Sequence, residues 1–443
     1  MDTVEQTPKI KDTIIQLLSN LANPKEIQKY LDRFTEAGQS HFAVIKVGGA
    51  VLEKDLENLC SSLAFLERIG LFPIVVHGAG PQLSANLKAK DISTEFIDGQ
   101  RVTSAPILKN AKQTFVAQNM TLANRLQAMG VKTASITTGV FEAKPVENSD
   151  LGYVGEVTSV NVEPIRLAIQ SGAIPILSPL GDSETGQTLN INADVATNQL
   201  AINIKPYKII FLTETGGILN KKDKIISTIN LATDFDTLMD KDWLHGGMKL
   251  KLKQVNDILQ QLPDSASVSI TKPLHLSKEL FTHKGSGTLI RKGEQMLSYD
   301  NIDDVEQDKL KSLIETSFNK TLQSDYFTSL DASKIYITRC YRACAILRHI
   351  DGVPYLDKFV VASEAKGEGL GKTLWNYIKG EHDALFWRCK PDNPINGFYF
   401  AHAAGCYKTS DWNFFWYGID DFTQVAQCFD NALNQPVTLE ATE

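Results

Sequence analysis

In "FAVIKVGGAVL", residues 42–52, Lys46 stands among Phe42, Val44, Ile45 and Val47, and the pair Gly48–Gly49 follows at once. An apolar run of this length reads as a buried strand, so a cation inside it needs a reason. Glycine after a strand lets backbone N–H groups come close to a ligand, and such groups favour anions. A lysine at the same strand end adds a full positive charge, and nucleotide phosphates are the natural guest. A simple turn, with Lys46 snorkelling out of the core, accounts for the same residues. No G-x-x-x-x-G-K-[ST] occurs, so the stretch is not a P-loop.

Further pieces of the same kind lie along the chain. "HGAG" carries Gly78, Ala79 and Gly80, and "TETGG" carries Gly216 and Gly217. In "DGQRVT", Arg101 is a loop cation whose fork suits a carboxylate. "LNINADVATNQLA" brings Asn190 and Asn192, then Asp194 near the start of a helical run. An N-cap or first-turn acid explains Asp194 equally well. "HGGMKLKLKQV", residues 245–255, leads into a helix start rich in lysine. Lysine at a helix N-terminus opposes the dipole, so Lys249 and Lys251 point either to a bound polyphosphate or to a solvated basic face.

A second group sits after residue 360. In "SEAKGEGLGKTLWNYI", Lys366, Gly367, Gly369 and Gly371 follow a strand and open a helix, where N–H groups could hold a pyrophosphate. A tight strand-to-helix turn is the plainer account. "ALFWRCKPDNPINGFYFAHAAGCY" gathers Arg388, Asn393, Asn396, Tyr399 and His402, either as a polar site or as loop chemistry beside an aromatic core.

The elements that would position these residues alternate. Strands are predicted at 42–47, at 72–76 and near 134, 174 and 208, with helical spacing over 54–69 and 107–129. Such alternation implies a parallel sheet covered on both faces, and ligands then bind at the carboxyl ends of the strands. Several of these strands end in glycine. Residues 298–312, "SYDNIDDVEQDKLKS", are polar and acidic, and four of the five tryptophans fall after residue 370. The expected organisation is a helical segment 1–40, an α/β domain 41–290, a linker 291–304 and a second domain 305–443.

At 443 residues the chain is too long for one ordinary core. With 43% hydrophobic and 22% charged residues and a net charge of −7, it has a globular composition and no dense basic stripe. Neither nucleic acid nor a membrane is an expected partner. Six cysteines without a C-x-x-C pair read as reduced thiols, and a cytoplasmic location is the default.

K-V-G-G, H-G-A-G, R-V-T, N-I-N-A-D and G-G-M-x-x-K, in this order, resemble the amino acid kinase family, and within it the N-acetylglutamate kinases. The resemblance covers roughly residues 40–290 and implies an αβα sandwich that transfers phosphate from MgATP to the side-chain carboxylate of N-acetylglutamate. It implies that Lys46 and Lys251 neutralise the transferring group and that Asp194 holds both lysines. Gly48, Gly49, Gly216 and Gly217 would lie at ATP. Gly78, Ala79, Gly80, Arg101, Asn190 and Asn192 would lie at N-acetylglutamate. The family usually has H-G-G-G, and Ala79 departs from it, which forbids any φ open only to glycine. Magnesium would come with ATP, and no tightly bound metal is expected.

Residues 305–430 are similar to GNAT-type acetyltransferases, and to those of vertebrate-like N-acetylglutamate synthases. That implies an α+β domain that takes acetyl-CoA as co-substrate and glutamate as acceptor. Lys366, Gly367, Gly369 and Gly371 would hold coenzyme A. Lys320 and Arg388 would hold glutamate carboxylates, and Asn393 and Tyr399 would sit at the reacting groups, with Tyr399 and His402 as candidate bases. Together the resemblances imply a bifunctional synthase/kinase of arginine biosynthesis, or one activity beside a regulatory domain. They also imply L-arginine as feedback inhibitor and a homo-oligomer, a tetramer in the fused type, paired through the N-terminal helix.

Overall fold

The computed structural model describes residues 42–441 except 98, 148, 245, 264–265, 282–285, 332–333 and 366–368. The helical segment expected over residues 1–40 lies outside the described residues. The chain divides after Lys292 into two compact units. Among the described residues no helix is long and apolar enough to cross a membrane.

Apolar runs build the first unit. Ala43–Val47, Ile74–His77, Ile174–Leu177 and Lys208–Leu212 are buried along nearly their whole length, as strands covered on both faces must be. They lie in an eight-stranded sheet. Its order is Thr228–Asn230, Thr288–Arg291, Ser267–Thr271, Lys208–Leu212, Ala43–Val47, Ile74–His77, Ile174–Leu177, Thr133–Ile136. Every neighbouring pair is parallel except Ser267–Thr271 with Thr288–Arg291.

Strand residues alternate between faces, and here the alternation sorts two cores. Ile45, Val47 and Val75 pack with Leu59, Leu63 and Leu66 of helix Leu56–Arg68. Val44, Ile74 and Val76 pack with Ala196 and Leu200 of helix Ala193–Ile204. A smaller sheet, ordered Thr188–Asn190, Leu180–Asp182, Phe141–Pro145, Gly155–Val160, contributes Phe141, Ala143 and Leu189 to that second core.

The second unit is a seven-stranded sheet in the order Met296–Tyr299, Lys334–Thr338, Ala343–Ile350, Val353–Val361, Leu385–Cys389, Asn413–Tyr417, Gly405–Lys408. All its pairings are antiparallel except Val353–Val361 with Leu385–Cys389, whose ladder holds one partner pair, Tyr355 with Phe386. Helix Leu370–Glu381 connects those two strands.

Residues 291–304, expected as a linker, are ordered structure instead. Met296–Tyr299 is the edge strand of the second sheet, and Asn301 caps a short 3-10 turn with Ile302 buried. Met296 is buried and Leu297 and Tyr299 pack against the same core, and in the sequence the acidic neighbours hid this short run.

Candidate functional site

The alternation that sorts the cores also aims Lys46. It shares the face of Val44, the one covered by helix Ala193–Ile204. There its ammonium meets Asp194 Oδ1 at 2.8 Å. Lys251, from helix Gly246–Gln261, stands 3.9 Å from Asp194 Oδ2. It also lies over the ring of Phe211, 4.9 Å from the centroid, and Phe211 is the ladder partner of Lys46. The three side chains are 14–20% exposed. They are reachable by a ligand yet shielded enough for their charges to act strongly.

Asp194 is free for this because another residue caps the helix. The Asn192 side-chain oxygen accepts the Asp194 N–H at 2.8 Å, so the acid was not needed as N-cap. Burial pushes the Asp194 carboxyl up, but the charges of Lys46 and Lys251 outweigh it and hold the group below its ordinary value. Burial draws the Lys251 ammonium down, Asp194 pulls it up, and Lys46 repels it. Two ammoniums and one carboxylate leave a net positive charge at the sheet's carboxyl edge.

The glycine loops meet beside this cluster. Gly78 N–H donates to Val47 O at 2.8 Å, and Gln82 Nε2 donates to Gly49 O at 2.7 Å. A Cβ on Gly49 would stand 2.8 Å from both Gln82 and Pro81, so only glycine lets the loops touch. A Cβ on Gly78 would fall in ordinary contact with Ala193, beside Asp194. Gly216, at φ +75°, passes so near Lys272 that a side chain would overlap it.

Ala79 has φ −145°, outside the positive-φ region that favours glycine, and packs against Leu83 and Ile107. Alanine in place of the family's glycine therefore introduces no strain.

Arg101 is nine-tenths buried. Its Nη2 donates to Ser84 Oγ at 2.7 Å and to Gly80 O at 3.4 Å, and its guanidinium lies over Phe96 at 4.6 Å. Among the described residues Nη1 has no hydrogen-bond partner, an unmet donor that an anion would satisfy. Burial lowers the pKa of Arg101 from its ordinary value. Thr103 Oγ1 donates to Arg101 O and accepts from Asn190 Nδ2 at 3.1 Å, so Arg101 and Asn190 are joined through one threonine. Lys46, Asp194, Lys251, Gly49, Gly78, Gly80, Arg101 and Asn190 thus form one connected set.

His77 was quoted in "HGAG" without a role. It is fully buried, with Nε2 3.3 Å from Ser178 Oγ, and burial pulls its pKa down from 6.5 to about 4. The folded protein favours the neutral ring. Its contribution to stability is therefore complete above pH 6.5 and is lost as pH falls toward about 4. His77→Gln, which cannot take up that proton, should flatten the melting-temperature profile over this window. An unchanged slope would assign the acid sensitivity to another group.

In the second unit the described candidate residues lie in several different settings. Arg388 donates from Nη1 to Leu433 O and from Nη2 to Gln435 O and Pro436 O, and lies over Trp412 at 4.0 Å. Lys320 is exposed on strand Lys320–Leu322, paired with Leu439–Ala441. Asn393 Oδ1 accepts the Ile395 N–H at 3.2 Å, as a turn residue does. Tyr399 is buried among Trp375, Trp387 and Phe415, and burial raises its pKa well above the ordinary value. His402 stacks on Phe398. Gly369, at φ +86°, is the N-cap of helix Leu370–Glu381, and Gly371 lies within its first turn. Lys366 and Gly367 lie outside the described residues. Tyr326 Oη and Lys358 Nζ both donate to the buried Asp357 Oδ2 at 2.6 Å, a group with no local sequence signal.

Two family models match the chain. The amino acid kinase family covers residues 41–270, and the N-acetyltransferase domain of N-acetylglutamate synthase covers residues 295–435. The chain is 47% identical to an acetylglutamate kinase of Xanthomonas campestris pv. campestris, over 95% of this chain and 100% of that protein. It is 32% identical to the mitochondrial N-acetylglutamate synthase of Homo sapiens, over 94% of this chain and 76% of that one. A structure of N-acetylglutamate synthase from Neisseria gonorrhoeae, complexed with coenzyme A and N-acetyl-glutamate, aligns at TM-score 0.62 and 19% identity, over 89% of this chain and 97% of that chain. A second structure of that synthase holds coenzyme A and L-arginine and aligns at TM-score 0.55, with 19% identity over 90% of this chain and 98% of that chain. At 19% identity these two likenesses establish the fold alone.

Proposed function

This chain belongs to the amino acid kinase family, and from that membership we propose that residues 41–290 phosphorylate the side-chain carboxylate of N-acetyl-L-glutamate with MgATP. Residues 305–443 then transfer acetyl from acetyl-CoA to L-glutamate, which makes the chain a bifunctional enzyme of arginine biosynthesis. The acetylglutamate kinase and N-acetylglutamate synthase relatives, each matched over nearly the whole chain, support both halves.

The observation that carries the kinase half is the Lys46–Asp194–Lys251 cluster at the carboxyl edge of a parallel sheet. A carboxylate is already a nucleophile, so the reaction needs no general base. Positioning and charge neutralisation do most of the catalysis in phosphoryl transfer. Lys46 and Lys251 face the negative charge of the transferring group, and Asp194 keeps their ammoniums from drifting apart. Gly48 and Gly49 admit the phosphates to backbone N–H groups, with Gly216 and Gly217 on the nucleotide side. The net positive charge of the cluster fits a polyphosphate, and the magnesium that accompanies ATP adds further positive charge there.

Gly78, Ala79 and Gly80 offer backbone to the acyl amino acid, and Arg101 and Asn190 take its α-carboxylate. The unmet Arg101 Nη1 supports that role. Arg101→Ala is expected to raise the KM for N-acetylglutamate about ten- to a hundredfold, the worth of a charge-assisted bond, with the KM for ATP unchanged. A rise confined to ATP would move Arg101 to the nucleotide site.

For the acetyltransferase, the positive φ of Gly369 at a helix start and the parting of Val353–Val361 from Leu385–Cys389 support a coenzyme A site between those strands. Lys320 and Arg388 serve glutamate in this proposal, with Asn393 and Tyr399 near the reacting atoms. Arg388 must exchange some of its bonds to Leu433, Gln435 and Pro436 to do so. L-arginine acts as feedback inhibitor and the active form is a homo-oligomer, a tetramer. Two assays on the purified chain test the whole proposal: ATP-dependent phosphorylation of N-acetylglutamate, and acetyl-CoA consumption with glutamate. Absence of either activity removes that half.

A further inference from the structure

Beneath the Gly78–Gly80 loop runs a chain of hydrogen bonds from the exposed Ser135 to the buried Asn119, Ser178 and His77. Ser135 Oγ donates to Asn119 Oδ1. The Asn119 amide nitrogen is thereby turned toward Ile176 O, at 2.9 Å, and Ser178 Oγ, at 3.3 Å. Ser178 Oγ also lies 3.3 Å from His77 Nε2. A neutral imidazole carries one proton. Gly78 O, 3.4 Å from Nδ1, can only accept, which places that proton on Nδ1 and leaves Nε2 to accept from the Ser178 hydroxyl.

Four separate elements supply this chain: strand Thr133–Ile136, helix Ala105–Ala128, the residue after strand Ile174–Leu177, and the end of strand Ile74–His77. His77, Asn119 and Ser178 are at most 2% exposed. Apolar side chains would fill the same space without the need to satisfy every polar atom.

Gly78 C=O and the Ala79 N–H belong to one planar peptide group. Whatever holds the carbonyl sets the direction of that N–H. The Ala79 N–H has no hydrogen-bond partner among the described residues. We propose that His77, as its Nδ1–H tautomer, is a positioning residue that aims the Ala79 N–H at N-acetylglutamate, with Ser178 and Asn119 selecting the tautomer. This rests on the assignment of residues 78–80 to that substrate.

Two amide substitutions separate the ring nitrogens. In His77→Asn the amide nitrogen falls near the place of Nδ1 and can still hold the Gly78 carbonyl. In His77→Gln the amide oxygen can reach the place of Nε2, where it accepts from Ser178 and leaves the Gly78 carbonyl unheld. His77→Gln and Ser178→Ala are expected to raise the KM for N-acetylglutamate about five- to tenfold, the worth of one neutral hydrogen bond. Turnover and the KM for ATP should stay near wild type, and His77→Asn should restore the substrate KM. Nitrogen-15 NMR of the wild-type ring, which needs no variant to fold, should show the proton on Nδ1. An Nε2–H ring, or rescue by glutamine and not by asparagine, overturns the proposal. A rise in the ATP KM instead overturns the loop assignment itself, which Arg101→Ala tests independently.

Discussion

Lys46→Ala is expected to lower the turnover of N-acetylglutamate phosphorylation by about 10²–10³-fold, the usual effect of removing one preorganised electrostatic donor. Acetyl transfer should continue at its original rate. The Lys46 ammonium is largely shielded and sits 2.8 Å from Asp194, so water cannot replace its charge at the same place. The substitution acts twice: it removes one cation from the transferring group, and it leaves Asp194 with Lys251 alone, at 3.9 Å. Lys251→Ala should have a similar effect. Because the two lysines act on one group, the double variant should lose less than the product of the single losses. Thermal unfolding separates this effect from misfolding. Phosphorylation within about threefold of wild type in either single variant, far from that range, would remove the lysines from the mechanism.

Gly369→Val is expected to abolish acetyl-CoA binding and leave phosphorylation of added N-acetylglutamate untouched. Gly369 has φ +86° at the N-cap of helix Leu370–Glu381. A β-branched residue there costs about 1–3 kcal/mol of backbone strain and places bulk where the pyrophosphate would meet N–H groups. Gly369→Asn keeps the left-handed conformation accessible, so it should retain more binding than valine. Lys366→Ala, a side-chain loss only, should do less than either. Calorimetry with acetyl-CoA on the full chain reads all three. Undiminished binding by the valine variant would make the loop only a turn, and the synthase half would then rest on the region around Asn393 and Tyr399.

Five strands of the first unit were legible as runs leading to glycine, whereas Thr228–Asn230, Ser267–Thr271, Thr288–Arg291 and the smaller sheet were not. Ala43–Val47, Ile74–His77, Thr133–Ile136, Ile174–Leu177 and Lys208–Leu212 all fall where apolar runs were read. The helices Leu56–Arg68 and Ala105–Ala128 follow their 3.6-residue spacing. Lys46 was conspicuous for the same reason, as a charge in a run that must be buried. Met296–Tyr299 was not legible, since an edge strand with acidic neighbours has too little pattern of its own.

What a side chain does at a site depends on neighbours that are distant in sequence. Asp194 read as an N-cap, a first-turn acid or a site residue. In the folded chain Asn192 caps the helix, and Lys46 and Lys251 converge on the Asp194 carboxylate in its first turn. Ala79 looked like a defect in its motif until its φ of −145° showed that no glycine conformation was required. For Arg388 the family resemblance implies a glutamate carboxylate and the residues alone also allow loop chemistry; folding brings the carbonyls of Leu433, Gln435 and Pro436 to it. Periodicity and turn chemistry are local, so most helices and central strands of the first unit, and the residues able to carry charge, can be read from the residues alone. Hydrogen bonds and ion pairs depend on distances of a few ångströms between separate elements, so which of those residues act on one another emerges with the folded chain.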